Sequence, residues 1–447
     1  MKRLVFFLTI IVIASCNTRK DIPFTIFKGK IENAKGVNLV IKGIDYEHEV
    51  KVKEDGTFFD TLYLEENYYT IEYNNEITKG YLKKGYVLHL AFDANEFDET
   101  ILYNGWGAIQ NNFIAQKILT EEEHLSTPDS LYALEMNEFL RKITNVKNAL
   151  ETSLALYDLK DSFALHERIN ISFDFMLRLQ RYPSYHKHYA EKDTVILDST
   201  FLLPVGFVSM DYEKGFDMFE NYREIVKRNY FDQFDENATG LEMLAPIKKY
   251  KSKNIVNAIV QEVSYYLSAA DTNLEAFYQE LNALSSDEEF KTKLLEKYEK
   301  LKNLTAGNPS PKFAYKNIEG TTVSLDDLKG KLVYVDVWAT WCGPCKREIP
   351  HLKALEEEFR KQSIAFVSIS IDKEKDYNKW KEMVNTESLK GIQLFADKDW
   401  KSDFVKDYAI DGIPRFILID QRGNIISSDA PRPSSGEEIK SLLKMHL

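Results

Sequence analysis

Along this chain the alternation of apolar and polar residues changes character twice. From Phe24 to about Phe92 the apolar stretches are short and alternating, as in Phe24–Ile31, Val37–Ile41, Val50–Val52, Phe58–Leu64 and Tyr68–Tyr73. A period of two marks strands with one buried face. Gly29, Gly36, Gly43, Gly56, Gly80 and Gly85 punctuate these runs, and Glu54-Asp55-Gly56 is a hairpin signal. The pattern predicts a small antiparallel β domain, sandwich or barrel, over residues 24–104. From there to Leu304 the stretches lengthen. Leu131–Leu159 and Glu275–Leu301 carry apolar residues at helical spacing between Glu and Lys, with few Gly or Pro. Residues 105–304 are therefore expected to be a helical region. Its aromatic-rich parts, Tyr182–Tyr189 and Phe216–Phe234, read as core and interface. His186 and His188 read as solvated loop residues, so no metal site is expected there.

The linker Thr305–Pro311 opens a third pattern, in which strands and helices alternate over 305–447. Lys331–Val337 and Ile364–Ile371 are expected strands, and Cys345–Gln362 and Tyr377–Thr386 expected helices. Phe416–Ile419 and Asn424–Ser427 pair across Gln421-Arg422-Gly423, and Glu437–Met445 closes the chain as a helix. The fold class is then multidomain: a small antiparallel β domain, a helical middle region and a C-terminal α/β domain.

The first residues do not fit any of these patterns. Lys2-Arg3 is followed by the apolar run Leu4–Ile13 and by Ala14-Ser15 before Cys16. That order reads as an export leader over 1–15, followed by a polar tether over 16–23. The run is shorter than the ~20 residues a membrane-crossing helix needs. Ile13-Ala14-Ser15-Cys16 resembles the bacterial lipobox, which implies cleavage before Cys16 and a lipid anchor on it. The net charge of −12 leaves no basic surface for phosphates, so a nucleic-acid partner is excluded.

The chain has three cysteines, and Cys342 and Cys345 form a Cys-x-x-Cys pair. At a helix N-terminus, backbone N–H groups and the helix dipole lower the pKa of the first thiol. Pro344 presets the first turn and Gly343 leaves it unobstructed. Ile349, Leu352, Leu355 and Phe359 give the following helix a sheet-facing stripe. Cys342 is thus expected to be the exposed nucleophile and Cys345 the shielded, resolving thiol. Half a zinc site fits poorly, since there is no second Cys pair and the nearest histidine, His351, stands six residues on.

The segment Val335–Cys345, ending Trp341-Cys342-Gly343-Pro344-Cys345, resembles the active-site strand and turn of thioredoxin. From about Asn308 onward the chain looks like the TlpA/ResA branch of that superfamily. The resemblance implies a thiol–disulfide oxidoreductase with no cofactor beyond the Cys342–Cys345 disulfide. Pro350 matches the kinking proline of the active-site helix, and Gly412-Ile413-Pro414 the cis-proline loop. The resemblance makes Pro414 part of the catalytic set, and Trp341, Gly343, Pro344 and Ile413 the surface that meets substrate. Asp336 interrupts an apolar strand, and the resemblance implies the buried carboxylate that takes a proton from Cys345. Glu348 resembles the active-site glutamate of ResA-like reductases, although the helix dipole alone also favours Glu there. Arg415 and Ser368 depart from thioredoxin's pattern. Upstream, Asp55-Gly56-Thr57-Phe58 and Asn104-Gly105-Trp106-Gly107 are similar to the N-terminal domain, of uncharacterised function, of Bacteroidetes-type lipoproteins.

These readings converge on a lipid-anchored cell-envelope reductase, facing the periplasm or on the outer membrane. Its partners would be protein disulfide substrates, a membrane electron donor and the membrane itself. Cytochrome c maturation is one client class that the resemblance suggests. The alternatives are an oxidant or isomerase, or a binding or scaffold lipoprotein with a secondary thioredoxin domain. A reduction potential near about −270 mV belongs to a reductase, and one near about −120 mV to an oxidant.

Overall fold

A computed structural model describes residues 22–447 except 158, 160, 236 and 237. The expected leader and Cys16 lie outside the described residues. The chain divides into two compact units, one up to Tyr230 and one from Phe231 on.

The first unit begins with β1 (Thr25–Glu32), β2 (Leu39–Gly43), β3 (Tyr46–Val50), β4 (Thr57–Leu62), β5 (Asn67–Tyr73), β6 (Glu76–Leu82), β7 (Val87–Asp93) and β8 (Leu102–Trp106). They form two four-stranded sheets, β4-β1-β7-β8 and β3-β2-β5-β6. In β1 the side chains of Phe27 and Ile31 point inward while Lys28 and Lys30 point out, as the period of two requires. Gly56 closes the β4 hairpin with φ +79°, and a Cβ there would stand 2.1 Å from the Ile31 carbonyl oxygen. One pairing departs from the antiparallel expectation: β1 and β7 run parallel, with Phe27 opposite Leu88. Parallel neighbours need a long crossover, and β2 to β6 supply it.

The helices α1 (Ala108–Leu125), α2 (Met136–Leu156), α3 (Ser162–Tyr189) and α4 (Glu220–Phe231) follow. Phe139, Ile143, Val146, Leu150 and Leu154 make one buried stripe along α2. The stretch Tyr182–Tyr189, expected to be core and interface with His186 and His188 on a loop, is the end of α3, which runs on through Pro183. His186 is buried, with Nδ1 2.8 Å from the Tyr132 carbonyl oxygen, whereas His188 is exposed. Residues two apart on a helix face different ways, so the two imidazoles do not converge.

The second unit contains α5 (Lys253–Val263), α6 (Leu274–Leu284) and α7 (Glu288–Lys302), then β9 (Ala314–Asn317), β10 (Thr322–Ser324), β11 (Leu332–Trp338), α8 (Gly343–Phe359), β12 (Ile364–Ser370), α9 (Tyr377–Thr386), β13 (Ile392–Phe395), β14 (Arg415–Ile419), β15 (Ile425–Ser427) and α10 (Glu437–His446). Seven strands lie in the order β10-β9-β13-β12-β11-β14-β15. Every residue of β11 is buried, which explains its unbroken apolar run. β11 and β12 are parallel and joined by α8, while β14 runs antiparallel on the other side of β11. Tyr334, Phe366 and Phe416 of the sheet pack with Leu352, Leu355 and Phe359 of α8 and Ile439 and Leu443 of α10. This core fixes α8 against β11, with the Cys-x-x-Cys pair at the helix start. Among the described residues no helix is long and apolar enough to cross a membrane.

Candidate active site

Cys342 and Cys345 are joined as a disulfide, with Cα atoms 5.3 Å apart. Cys342 is the N-cap of α8, and its Sγ accepts a hydrogen bond from the Cys345 backbone N–H at 3.1 Å. The helix start thus already aims a donor at the first sulfur. Pro344 occupies the first turn, where no N–H is required. The expectation that Cys342 is exposed does not hold in this disulfide form. It is 4% exposed and Cys345 3%. The Ile413 carbonyl oxygen approaches Cys342 Sγ at 3.9 Å, so a loop distant in sequence covers it. The Ile413–Pro414 peptide bond is cis. Trp341 is half exposed beside the disulfide, its ring 6.4 Å from that of Trp400.

Two carboxylates occupy the layer beneath. Asp336 of β11 is buried, and that burial pushes its carboxyl up to about 8. A hydrogen bond from Ser368 pulls the other way, and the charges of Glu348 and Glu356 add to the rise. Glu348 of α8 is also buried. Its carboxylate accepts from the Ser434 backbone N–H at 2.9 Å and from the Ser434 hydroxyl at 2.8 Å. Arg415, which departs from thioredoxin's pattern, is engaged by two carboxylates. Its Nη1 lies 2.6 Å from Asp429 and its Nη2 3.9 Å from Asp411. Asp411 in turn lies 3.8 Å from Lys297 of α7, so that helix reaches the loop leading to Pro414.

The comparisons with known proteins fall on this same segment. The AhpC/TSA family model matches residues 306–428. The thiol-disulfide oxidoreductase ResA of Bacillus anthracis is 30% identical over 141 residues, covering 32% of this chain and 76% of that protein. The chain belongs to the ResA-type thiol-disulfide oxidoreductases. ResA of Bacillus cereus is 29% identical over 150 residues, covering 34% of this chain and 81% of that protein. The thioredoxin domain of a thiol-disulfide oxidoreductase from Bacteroides vulgatus is 29% identical, covering 32% of this chain and 99% of that one, with a TM-score of 0.29. On the family match over 306–428 and the ResA relatives, the C-terminal α/β domain is thioredoxin-like, and the chain is an enzyme of thiol–disulfide exchange.

Enzymes of this ResA-type, thioredoxin-like class use no cofactor beyond a redox-active disulfide. Among the described residues no group of three or more His, Cys, Asp or Glu is placed to hold a metal ion. The structure gathers the segments around Asp336, Trp341–Cys345, Glu348 and Ile413–Pro414 about one helix start, from parts of the chain up to 78 residues apart. Cys16 falls outside the described residues. One further residue was passed over in sequence. Asp372, fully buried just after β12, accepts from the Thr340 backbone N–H at 2.9 Å and the Thr340 hydroxyl at 2.8 Å. Ser370 donates to the same carboxylate at 2.8 Å. These bonds tie the turn before Cys342 to the end of the neighbouring strand. An Asp directly after the apolar run Ile364–Ile371 was the available signal.

Proposed function

We propose that this chain is a cell-envelope dithiol reductase that acts on client proteins through Cys342 and Cys345. The observation that carries the reading is the disulfide at the start of α8, with its first sulfur already accepting a backbone N–H. In the reduced enzyme that donor and the helix dipole favour the Cys342 thiolate. The thiolate attacks one sulfur of a client disulfide and expels the other as a client thiolate, leaving a mixed disulfide. Cys345 gives its proton to Asp336 and attacks Cys342 Sγ. The enzyme disulfide forms, the client leaves with two reduced sulfurs, and two electrons have passed to it.

Asp336 suits this role because a carboxyl held near 8 exchanges a proton close to neutral pH. Glu348 acts on it through charge, since both of its oxygens are already held by Ser434. Trp341, Gly343, Pro344 and Ile413 form the rim that a client strand meets, with Pro414 beneath it. The leader and Cys16 place the enzyme outside the cytoplasm on a lipid anchor. An electron donor at the membrane then restores the dithiol, and cytochrome c maturation is a fitting client class.

A Cys345→Ala variant tests the reading. It should accumulate mixed disulfides with envelope proteins through Cys342, seen as adducts that a reductant dissolves. Absence of adducts in the single variant, with none lost in Cys342→Ala/Cys345→Ala, overturns it.

A further inference from the structure

The mechanism leaves a proton on Asp336, a buried group, while a client covers the disulfide. Sheet register places a polar row beside it. Asp336 of β11 lies opposite Ser368 of β12, and Ser368 opposite Gln393 of β13. In-register neighbours share a face. This is the face of Tyr334 and Phe366, which pack against α8. Glu356 stands on the same side of α8, buried, and the mechanism above does not use it. Its Oε1 would lie 2.8 Å from a Cβ at Gly391, the residue just before β13. That is eleven residues beyond Cys345, or ~16 Å along the helix away from the disulfide.

Two atoms in this layer are buried without a hydrogen-bond partner among the described residues: Glu356 Oε2 and Gln393 Oε1. An ionised carboxylate oxygen does not rest in such a position, whereas a protonated acid or an entering water satisfies it. Gln393 and Gly391 also line an open cleft of about 400 Å³, together with Asn385 and Ser388. The row Asp336–Ser368–Gln393 therefore ends at this cleft, and Glu356, itself outside the cleft's lining, abuts it through Gly391.

We propose that Glu356, acting through Ser368 and water from this cleft, carries the proton between Asp336 and solvent. This rests on the reductase reading above. Asp336 passes its proton to the Ser368 hydroxyl as that hydroxyl gives its own onward, by water, to the Glu356 carboxylate. Glu356 then releases a proton to water at the cleft, and no electrons move. Burial raises Glu356 to about 7 against the pull of Lys390 and Lys353, so donor and acceptor are nearly matched. The groups facing it are Asp336 from β11, Lys353 from its own helix and Lys390 from the turn before β13.

The test is a single-turnover reaction of the reduced full-length protein with a synthetic peptide disulfide in dilute buffer at neutral pH. Glu356→Gln should slow resolution of the mixed disulfide about tenfold. Added imidazole should restore the rate, because a small buffer replaces a missing proton carrier. Ser368→Ala should show the same rescuable loss, and wild type should ignore imidazole. A wild-type rate in Glu356→Gln, or a loss that imidazole does not rescue in a variant of unchanged thermal midpoint, overturns the relay. The reductase reading fails by a different result, the absence of client adducts in Cys345→Ala.

Discussion

At the scale of single residues, Asp336 illustrates how a site is held at a cost to the fold. A carboxyl with a pKa near 4 in the unfolded chain and about 8 in the folded one takes up a proton on folding. Stability is then full below about pH 4 and falls steadily as pH rises toward 8, because the unfolded state is the one that releases the proton. Asp336→Asn removes this loss. By pH 8 the oxidised variant should be more stable than wild type by on the order of 2–4 kcal/mol. Denaturant unfolding across pH 4–8 checks this, and parallel pH profiles for the two proteins would refute it. The variant should also resolve mixed disulfides more slowly. The aspartate itself was legible in the sequence as an acid inside an apolar strand. Asp372 also stood out, directly after an apolar run, but its task was not legible because it depends on a Thr340 that lies 32 residues away in the chain.

At the scale of elements, α8 joins the chemistry to the core. Its first turn caps and bonds Cys342, and its later turns carry Leu352, Leu355 and Phe359 into the packing around Tyr334. The stripe of apolar positions was readable from spacing alone. Leu355 is 2% exposed at the centre of this stripe. Leu355→Ala should cost about 2–5 kcal/mol through lost burial and the cavity left behind. Urea unfolding of the oxidised protein measures it, and a loss below the range would mean the helix repacks. The elements least visible in sequence were β9, β10 and β13, which are three or four residues long, too short to show a period. At the end of α3 the aromatic run was legible as core, but His186 was read as a solvated loop residue; the helix runs on through Pro183 and buries both Tyr182 and His186.

At the scale of the whole molecule, the chain is a redox domain preceded by about 300 residues without cysteine after the tether. Part of the helical region, α5 to α7, belongs to the same compact unit as the redox domain, and Lys297 of α7 reaches Asp411 there. The β domain and α1 to α3 form the other unit. A lipid on Cys16 would tether both units to a membrane surface. In cells grown with labelled palmitate, wild type should carry label and sediment with membranes, while Cys16→Ala should lose the label and become soluble. Equal labelling of the two would exclude the anchor.

The sequence by itself determined what depends on near neighbours. Periods of two and 3.6 marked strands and helices, a proline one turn into a helix marked its start, and two cysteines sharing that turn marked the redox centre. These signals are local because backbone geometry repeats within a few residues. The tertiary structure decided what depends on register between distant segments. It paired β1 with β7 in parallel, laid Ile413 over Cys342 so that the sulfur is buried, and gave Glu348 to Ser434. It also lined up Asp336, Ser368 and Gln393 in one row. A strand's pattern says which face is buried, but not which strand lies beside it, and that choice is where this site acquires its acids.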